Sequence, residues 1–350
     1  MAFGLKNFGM GGIHAPMTVV DGGSATSGSG GSSLLPAFFA QQPVIKQMKT
    51  LGSIFVILLL AIATLVFVNT RDTTHGTAYV AAAGQMEMLS QRLGKASTLA
   101  LQGNPAAFAQ LKDSRETFNH LLEMLTSGGD IDGTEVPASP ADVRPQLEAL
   151  TALWTEADND AKVVIGQEEN LLALGKNVAT IDNENSTMLE LSEQVAALKL
   201  QSGAGTKEIA AANQLVMLTQ RIAKNASALL VGNEINPEVA FLLGKDTNNF
   251  RDILLGLSKG ATDADTREKL GELDAAFKTY QAAISSILGN MQPLVLSKQA
   301  GASIFRDSED LLKATDNLAL GYKQVLAQSG RFVIFLISLA VLAVAVLALL

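Results

Sequence analysis

The chain has 350 residues with 26 basic and 34 acidic side chains, a net charge of −8 and no cysteine. Apolar residues make up 48% of the chain but aromatic residues only 5%, a composition that favours aliphatic helix packing over sheets rich in aromatic and β-branched residues. The lack of cysteine excludes disulfides, thiolate nucleophiles and cysteine metal sites.

Residues 1–45 contain the Gly/Ser tract DGGSATSGSGGSS. Such a tract has too little apolar surface to fold. No Gly-Lys-Ser or Gly-Lys-Thr step follows it, so a phosphate-binding loop is not indicated. We expect a disordered tail.

Two long apolar runs flank the remaining chain, within residues 50–70 and at residues 332–350. Each run has about 18–19 apolar residues, which span about 27–29 Å as a helix, close to a hydrocarbon core of ~30 Å. The alternatives are a signal peptide for the first run and a buried core helix for the second. A signal peptide would have a shorter apolar part, nearer the N-terminus, and a small-residue cleavage site. The pattern therefore predicts two transmembrane helices.

Basic residues beside these runs predict the orientation in the membrane. Lys46 and Lys49 precede the first run, which favours a cytoplasmic tail; Arg331, before the second run, argues weakly for the opposite. Residues 71–330 would then lie outside the cytoplasm, with 33 acidic and 22 basic residues and a net charge of −11. Because an acidic region repels nucleic acid, we expect no nucleic-acid partner, but a protein, a small ligand or a cation.

Two segments 129 residues apart have nearly the same sequence: GQMEMLSQRLGKAS begins at Gly84 and NQLVMLTQRIAKNAS at Asn213. Six pairs are identical at this offset, namely Gln85/Gln214, Met88/Met217, Leu89/Leu218, Gln91/Gln220, Arg92/Arg221 and Lys95/Lys224. A match of this quality indicates an internal duplication.

The duplication extends over the whole region between the two apolar runs. Further matching pairs are Phe118/Phe250, Leu122/Leu254, Leu125/Leu257, Leu147/Leu270, Leu150/Leu273, Trp154/Phe277, Val164/Ile287 and Leu171/Leu294. Apolar residues recur at helical spacing, which predicts four helices per repeat. These are residues 75–103, 105–127, 141–167 and 168–200 in the first repeat (71–203), with counterparts over 205–329 in the second (204–330). The sequence leaves open whether the repeats lie side by side or are stacked with helices that run through both.

The polar residues of the duplicated motif are the candidate functional residues. They are Gln85, Gln91, Arg92 and Lys95 in the first copy and Gln214, Gln220, Arg221 and Lys224 in the second. With Leu89 and Leu93 buried, Arg92 lies beside the buried seam and can reach a neighbouring helix, where its guanidinium could hold an anion or a carboxylate. Two interpretations remain open: the arginines pair with acidic residues of adjacent helices, or they serve a ligand site or a dimer interface.

The sequences MLSQRLGK and MLTQRIAK, the first of them on the first helix after a predicted span, resemble the PilJ-type sensor domain. That domain occurs in type IV pilus methyl-accepting chemotaxis transducers and in nitrate-responsive bacterial sensors. The resemblance implies an all-α fold, with a four-helix module of antiparallel bundle type in each tandem repeat between two transmembrane helices. It also implies that residues 71–330 lie in the periplasm, and that the protein is a parallel homodimer in the inner membrane that signals through its second span.

The same resemblance implies a HAMP segment and a long helical hairpin beyond residue 350, which would engage a CheA-type kinase through a CheW-type adaptor. The chain would then be truncated before its output region. One position departs from the family pattern. Nitrate-binding members carry an arginine immediately before the Met-Leu-Ser step, where this chain has Glu87 and Val216. A carboxylate repels nitrate and valine offers no donor, so we expect that nitrate is not the ligand.

Three functions are compatible with the sequence. The first is a receptor for pilin or other type IV pilus components that controls twitching motility. The second is a small-ligand sensor in which Gln91, Arg92 and Lys95 line a polar pocket, and the third is a non-transducing scaffold tethered to the lipid bilayer. His14, His75 and His120 lack metal-ligand spacing, and no catalytic motif is present. We therefore predict no cofactor, no metal site and no enzymatic activity.

Overall fold

The computed structural model describes residues 43–231 and 234–349. Most of the predicted tail and residues 232–233 lie outside the described residues. The chain divides into two compact units, Met1–Leu58 and Leu59–Leu350, and all the packing described below lies within the second unit.

Eight helices account for nearly all of the described chain. They are α1 (Val44–Leu101), α2 (Pro105–Ser127), α3 (Arg144–Gly166), α4 (Glu168–Gln201), α5 (Thr206–Val231), α6 (Pro237–Gly260), α7 (Ala264–Gly289) and α8 (Met291–Leu349). The apolar periodicity therefore located the helices correctly. The predicted fold class, all-α with four-helix bundles between two apolar terminal helices, is confirmed.

Helices α1 and α8 each contain a stretch long and apolar enough to cross a membrane. Large apolar side chains in these stretches, such as Phe67 and Ile334, are about two-thirds exposed, as expected for residues that face lipid. Both helices continue from the apolar stretch into the bundles without a break. The predicted span at 50–70 and the predicted helix at 75–103 are thus parts of one helix.

Helices α2 and α6 begin at capped N-termini. Asn104 accepts a hydrogen bond from the Ala106 N–H at 3.0 Å, and Asn236 accepts one from the Glu238 N–H at 2.9 Å. Each asparagine is followed by the proline, which suits the first helical position because it needs no N–H partner there. The duplication therefore includes the helix caps.

A short β-hairpin interrupts the helices between α2 and α3. Strand β1 (Gly129–Ile131) pairs antiparallel with β2 (Thr134–Val136), and both turn residues, Asp132 and Gly133, have positive φ angles of 49° and 85°. Asp-Gly is a preferred sequence for such a two-residue turn. The sequence pattern predicted only a break between helices in this segment.

The helices form two four-helix bundles, which we call the first and the second bundle. In the first bundle α3 packs against α2 and α8, and α1, from residue 71 onward, contacts α2 and α8 through the side-chain pairs described below. In the second bundle α4 packs against α5 and α7, and α6 packs against α5 and α7. Each bundle therefore contains three helices of one sequence repeat and the fourth helix of the other.

The exchange of the fourth helix follows from two very short connections. Gln167 alone separates α3 from α4, and Asn290 alone separates α7 from α8. Hydrogen bonds of helical spacing cross both links, from the Leu171 N–H to the Gln167 carbonyl at 2.9 Å and from the Leu294 N–H to the Asn290 carbonyl at 3.3 Å. One residue cannot reverse the chain, so each helix passes from one bundle into the other. Of the two arrangements left open by the sequence, the structure has the one in which helices run through both bundles.

The two bundles have equivalent aromatic pairs in their cores. Phe118 stacks on Trp154 with ring centroids 3.8 Å apart, and Phe250 stacks on Phe277 at 4.6 Å. These are the residues matched by the duplication, so the correspondence between the repeats holds in three dimensions.

Candidate functional site

The duplicated motif lies on α1 and α5, and its apolar residues line the bundle cores. Leu89, Leu93, Leu218 and Ile222 are all buried, as the spacing predicted. The hydroxyls of Ser90 and Thr219 are buried as well. They donate to carbonyls one turn earlier, at 2.8 and 3.0 Å, so neither hydroxyl is available to a ligand.

Each motif arginine forms an ion pair with an aspartate on the following helix. A guanidinium nitrogen of Arg92 lies 2.9 Å from Asp113 on α2, and one of Arg221 lies 2.9 Å from Asp246 on α6. Of the two interpretations that the sequence left open, the structure has the one in which the arginines pair with acidic residues of adjacent helices.

The surroundings of the two ion pairs differ. The side chains of Arg92 and Asp113 are 39% and 59% exposed, whereas that of Asp246 is only 2% exposed. By the Phe118/Phe250 match, Asp246 corresponds to the buried Ser114 of the first repeat. The second repeat thus holds a buried carboxylate where the first holds a hydroxyl.

The remaining candidate residues lie mainly on the outer faces of the motif helices. Those that are exposed are Gln91 and Lys95 on α1 and Gln214, Gln220 and Lys224 on α5, whereas Gln85 is half-buried. Met88 and Met217, 57% and 47% exposed, lie among them. The structure therefore arranges these side chains along two helix faces, and a ligand role for them remains a prediction.

A cluster that the sequence analysis missed joins α1 to α8. The ring of Tyr79 stacks on that of Tyr322 with centroids 5.0 Å apart. The Tyr79 hydroxyl donates to the Pro137 carbonyl at 2.6 Å, and the Tyr322 and Ser139 hydroxyls are hydrogen-bonded at 2.6 Å. We call Tyr79, Tyr322, Pro137 and Ser139 the tyrosine clasp.

The clasp fixes the loop after the β-hairpin to both helices that continue into apolar stretches. Burial raises the pKa of Tyr322 to about 12 and raises that of Tyr79, so both hydroxyls stay protonated and can keep donating. One indication was available in the sequence. The chain has three tyrosines, and two of them lie about three helical turns outside the two apolar runs.

The bundles meet where the turn after α1 packs on α4. Gly103 has a positive φ of 76°, and a Cβ added to it would lie 2.9 Å from the Cα of Gly175, so both positions need glycine for the backbones to approach this closely. In the second repeat the residue that corresponds to Gly175 is Lys298 of α8, at the same offset as the Leu171/Leu294 match. Its ammonium donates to the Leu230 carbonyl near the end of α5 at 2.7 Å.

Lys298 is only 2% exposed, and burial lowers its pKa to about 8. Beside it lies a cavity of about 330 Å³, the junction cavity, lined among others by Thr98 of α1, Gln102 in the turn after α1, Val231 of α5 and Phe305 of α8. The ends of the two motif helices therefore meet at one cavity.

The described residues contain no group of three histidine or acidic side chains that could hold a metal ion. His75 lies on α1 and His120 on α2, while His14 lies outside the described residues.

Comparison with known proteins relates the chain to one family. The family model described as the N-terminal part of the type IV pili methyl-accepting chemotaxis transducer matches residues 68–180. Protein PilJ of Pseudomonas aeruginosa is 26% identical over 293 residues, which cover 80% of this chain and 42% of that protein. A putative methyl-accepting chemotaxis protein of Alcanivorax borkumensis, AlkN, is 25% identical over 245 residues, covering 67% of this chain and 35% of that protein.

The matched region thus spans about two-fifths of the length of these relatives. The family match covers α2, α3 and the bundle part of α1, and the match to PilJ of Pseudomonas aeruginosa covers most of the chain. Together with two helices apolar enough to cross a membrane, this relationship indicates an inner-membrane protein. The resemblance to PilJ-type sensor domains that the sequence indicated is confirmed.

Proposed function

We propose that the chain is the sensing and transmembrane part of a chemotaxis-type transducer that controls type IV pilus motility. The family match and the two related proteins support this function. The observation that carries it is the continuity of α8, which runs unbroken from the contact between the bundles into the second apolar stretch. A shift or rotation of α8 against its neighbours is therefore passed directly into the membrane.

In this proposal residues 71–330 face the periplasm and the tail faces the cytoplasm, as Lys46 and Lys49 favour. The stimulus comes from pilin or another pilus component, in line with a protein partner for an acidic region. The protein works as a homodimer and passes its signal to a CheA-type kinase and a CheW-type adaptor through regions outside this chain. No step requires catalysis by the chain.

The contact between α1 and α8 has features suited to a small sliding motion. A Cβ added to Gly94 would lie 3.4 Å from the Ser308 side chain, and one added to Gly301 would collide with Leu101, so the helices approach closely at small residues. Helix shifts of about 1–2 Å are sufficient for switching in such bundles. The tyrosine clasp holds the same two helices nearer to the membrane and would limit the motion.

The second bundle can drive this motion because α7 continues into α8 across Asn290. A partner that displaces α7 would move α8 without an intervening flexible loop. In the first repeat, α4 is connected to α3 in the same way, through Gln167 alone. Binding at the second bundle can therefore change the first bundle and both membrane helices.

Small-ligand sensing is a second candidate function, favoured by the junction cavity. Its volume of about 330 Å³ lies at the lower end of the range for small-molecule pockets, and Gln102 and Lys298 supply polar groups. Nitrate remains disfavoured as the ligand, because Glu87 and Val216 stand where nitrate-binding members carry arginine.

A chimera tests the proposed function. The 350-residue chain is joined to the HAMP and kinase-control region of a chemoreceptor, reconstituted in lipid nanodiscs, and titrated with the soluble head of the organism's major pilin or with nitrate. We expect saturable pilin binding and a change in CheA phosphorylation. A variant with four glycines inserted after Gly330 should bind pilin without changing kinase activity, because its α8 is interrupted.

Pilin binding without a kinase response in the uninterrupted chimera would instead indicate a scaffold. A kinase response to nitrate alone would indicate a small-anion sensor. Absence of both pilin binding and any pilin-dependent response would refute the pilin receptor.

A further inference from the structure

The first bundle has a cavity of its own between the end of α2 and the start of α3, which we call the α2–α3 cavity. Its volume of about 440 Å³ lies within the range of small-molecule sites. Its apolar lining consists of Leu125, Leu147 and Ala152, and its polar lining of Thr126, Ser139, Arg144, Glu148 and Thr151. The cavity therefore combines apolar and charged groups in one place.

The floor of the α2–α3 cavity belongs to the core of the bundle. Leu125 of α2 is 0% exposed and Leu147 of α3 is 6% exposed. An apolar group that covers these two side chains leaves water, which is favourable. The floor therefore suits a ligand with a small apolar part.

Two opposite charges stand over this floor. Arg144 and Glu148 lie one turn apart on the same side of α3, and both are exposed. Within the part of the chain that the structure describes, neither side chain forms an ion pair or a hydrogen bond. The cavity thus offers one free cation and one free anion, and each can bind a group of a ligand.

The surroundings of the two charges favour a definite orientation of the ligand. Arg144 is the first residue of α3, where the helix dipole favours an anion, and a guanidinium can hold a carboxylate through two parallel hydrogen bonds. Thr151 lies about one turn after Glu148, and its hydroxyl donates to the Leu147 carbonyl at 2.7 Å. The Thr151 oxygen can therefore still accept, and together with Glu148 it suits an ammonium group.

We propose that the α2–α3 cavity binds a free α-amino acid with an apolar side chain. The carboxylate of the amino acid pairs with Arg144 and its ammonium with Glu148, while its side chain packs on the apolar floor. An α-amino acid carries these three groups on one carbon atom, which is the combination that the cavity matches. The site goes beyond the proposed pilin receptor and does not depend on it.

The second bundle differs at the matched positions. By the Leu147/Leu270 match, Arg144 corresponds to Arg267 and Glu148 to Gly271. The guanidinium of Arg267 donates to the carbonyls of Ala261 and Thr262 at 3.2 and 3.4 Å, and Gly271 supplies no carboxylate. The charge pair is therefore not shared by the two repeats, and we expect one amino acid per chain, in the first bundle.

The position of the cavity connects it to the membrane helices. Ser139 lines the cavity and is also the member of the tyrosine clasp that is hydrogen-bonded to Tyr322 of α8. An amino acid in the cavity packs beside this serine and acts on the contact between α1 and α8. Binding is therefore expected to change how the clasp holds the two helices.

Calorimetric titration of the 350-residue chain in lipid nanodiscs tests the site, with L-leucine as the probe. Three compounds each lack one of its groups: glycine lacks the apolar side chain, 4-methylpentanoate the ammonium and 3-methylbutylamine the carboxylate. We expect saturable binding of one L-leucine per chain. Each of the three compounds should bind about tenfold more weakly or worse, because each loses a charge-assisted hydrogen bond or the apolar contact.

Charge-neutral variants assign the two ends of the ligand. Arg144→Gln should weaken binding of L-leucine about tenfold and remove that of 4-methylpentanoate, but leave that of 3-methylbutylamine unchanged. Glu148→Gln should weaken L-leucine similarly, remove binding of 3-methylbutylamine and leave that of 4-methylpentanoate unchanged. Arg267→Gln is the matched control in the second bundle and should leave L-leucine binding unchanged. Circular dichroism verifies that all three variants keep their helices.

Trp154 provides a second readout of binding. It is the one tryptophan of the chain and lies about one turn after Thr151 on α3, so an occupied cavity should change its fluorescence. Fluorescence and heat should saturate at the same L-leucine concentration. The absence of saturation in both measurements for L-leucine, L-valine and L-phenylalanine would overturn the site.

Two further outcomes would also overturn the proposal. If 4-methylpentanoate binds as tightly as L-leucine, the ammonium is not recognised and the ligand is not an amino acid. If Arg267→Gln weakens L-leucine binding as much as Arg144→Gln, the ligand does not bind in the α2–α3 cavity.

Discussion

The ring of Tyr79 on α1 stacks on the ring of Tyr322 on α8 at a centroid distance of 5.0 Å and an interplanar angle of 19°. These are the two helices that continue into the apolar stretches, so an aromatic contact outside the membrane links both predicted spans. The hydroxyl of Ser139 donates to the Leu125 carbonyl at 2.5 Å, which leaves the Tyr322 hydroxyl as the donor to Ser139. The clasp thereby connects α1 and α8 to the loop between α2 and α3.

Replacing Tyr322 with phenylalanine should destabilise the protein by about 1 kcal/mol, because the buried Ser139 oxygen loses its donor. Tyr280→Phe is the matched control in the second bundle. Its hydroxyl is also buried but lies 3.4 Å from both Asn185 Oδ1 and the Thr219 carbonyl, so its removal should cost less. Thermal unfolding followed by far-ultraviolet circular dichroism compares the two, and equal losses would contradict this account of the clasp.

The two motif arginines should contribute unequally to stability. Arg92→Ala removes an exposed ion pair and should cost less than about 1 kcal/mol. Arg221→Ala leaves the carboxylate of Asp246 buried without its partner and should cost about 2 kcal/mol or more. Denaturant unfolding of both variants measures the difference.

A double variant isolates the cause of that difference. Adding Asp246→Ser to Arg221→Ala restores the residue type found at the equivalent position, Ser114, and removes the unpaired charge. We expect the double variant to recover much of the lost stability. If it is no more stable than Arg221→Ala alone, the buried carboxylate is not the reason for the loss.

Gly175→Ala should destabilise the contact between the bundles. The added Cβ would lie 3.0 Å from the Gln102 carbonyl oxygen and 3.1 Å from the Gly103 Cα, and this backbone can yield only by separating α4 from the turn. Gly256→Ala is the matched helical control, because nothing lies within 4 Å of its added Cβ. That change should stabilise the protein by up to about 1 kcal/mol. Melting temperatures that move in the same direction would count against a tight junction.

Lys298 should make stability depend on alkaline pH. Its pKa is lowered to about 8 in the folded protein, whereas an unfolded lysine has a pKa of about 10.4. Between these values the unfolded chain binds a proton that the folded chain lacks, so stability rises with pH. Below about pH 8 both states are protonated and the cost of burying the ammonium is fully present.

Comparing the pH dependence of the unfolding free energy with that of the Lys298→Met variant removes the contributions of other titrating groups. The unfolding free energy of the original chain minus that of the variant should rise by at most about 3 kcal/mol as the pH increases through this window. Denaturant unfolding at a series of pH values in detergent micelles provides the measurement. A difference that is constant with pH would show that Lys298 does not titrate in this range.

The helices could be predicted from the sequence because apolar residues repeat at helical spacing and polar breaks separate them. Trp154 and Phe277, matched through the duplication, do stack on their equivalent phenylalanines. For the tyrosine clasp the sequence offered only the similar distance of Tyr79 and Tyr322 from the two apolar runs. The two residues are 243 positions apart, and no local pattern reports their contact. Pairing of Arg92 was one of two open interpretations, since the position of Asp113 relative to it depends on how α1 and α2 pack.

The sequence by itself determined the helical class, the duplication and the two apolar helices, since these depend on local spacing and composition. Only the tertiary structure decided which helix completes each bundle. Helices α4 and α8 have equivalent buried apolar residues, such as the matched pair Leu171 and Leu294. The apolar pattern of either helix would therefore suit either bundle. The one-residue links at Gln167 and Asn290 make the choice, because a helix that cannot turn back must pack against the helices ahead of it.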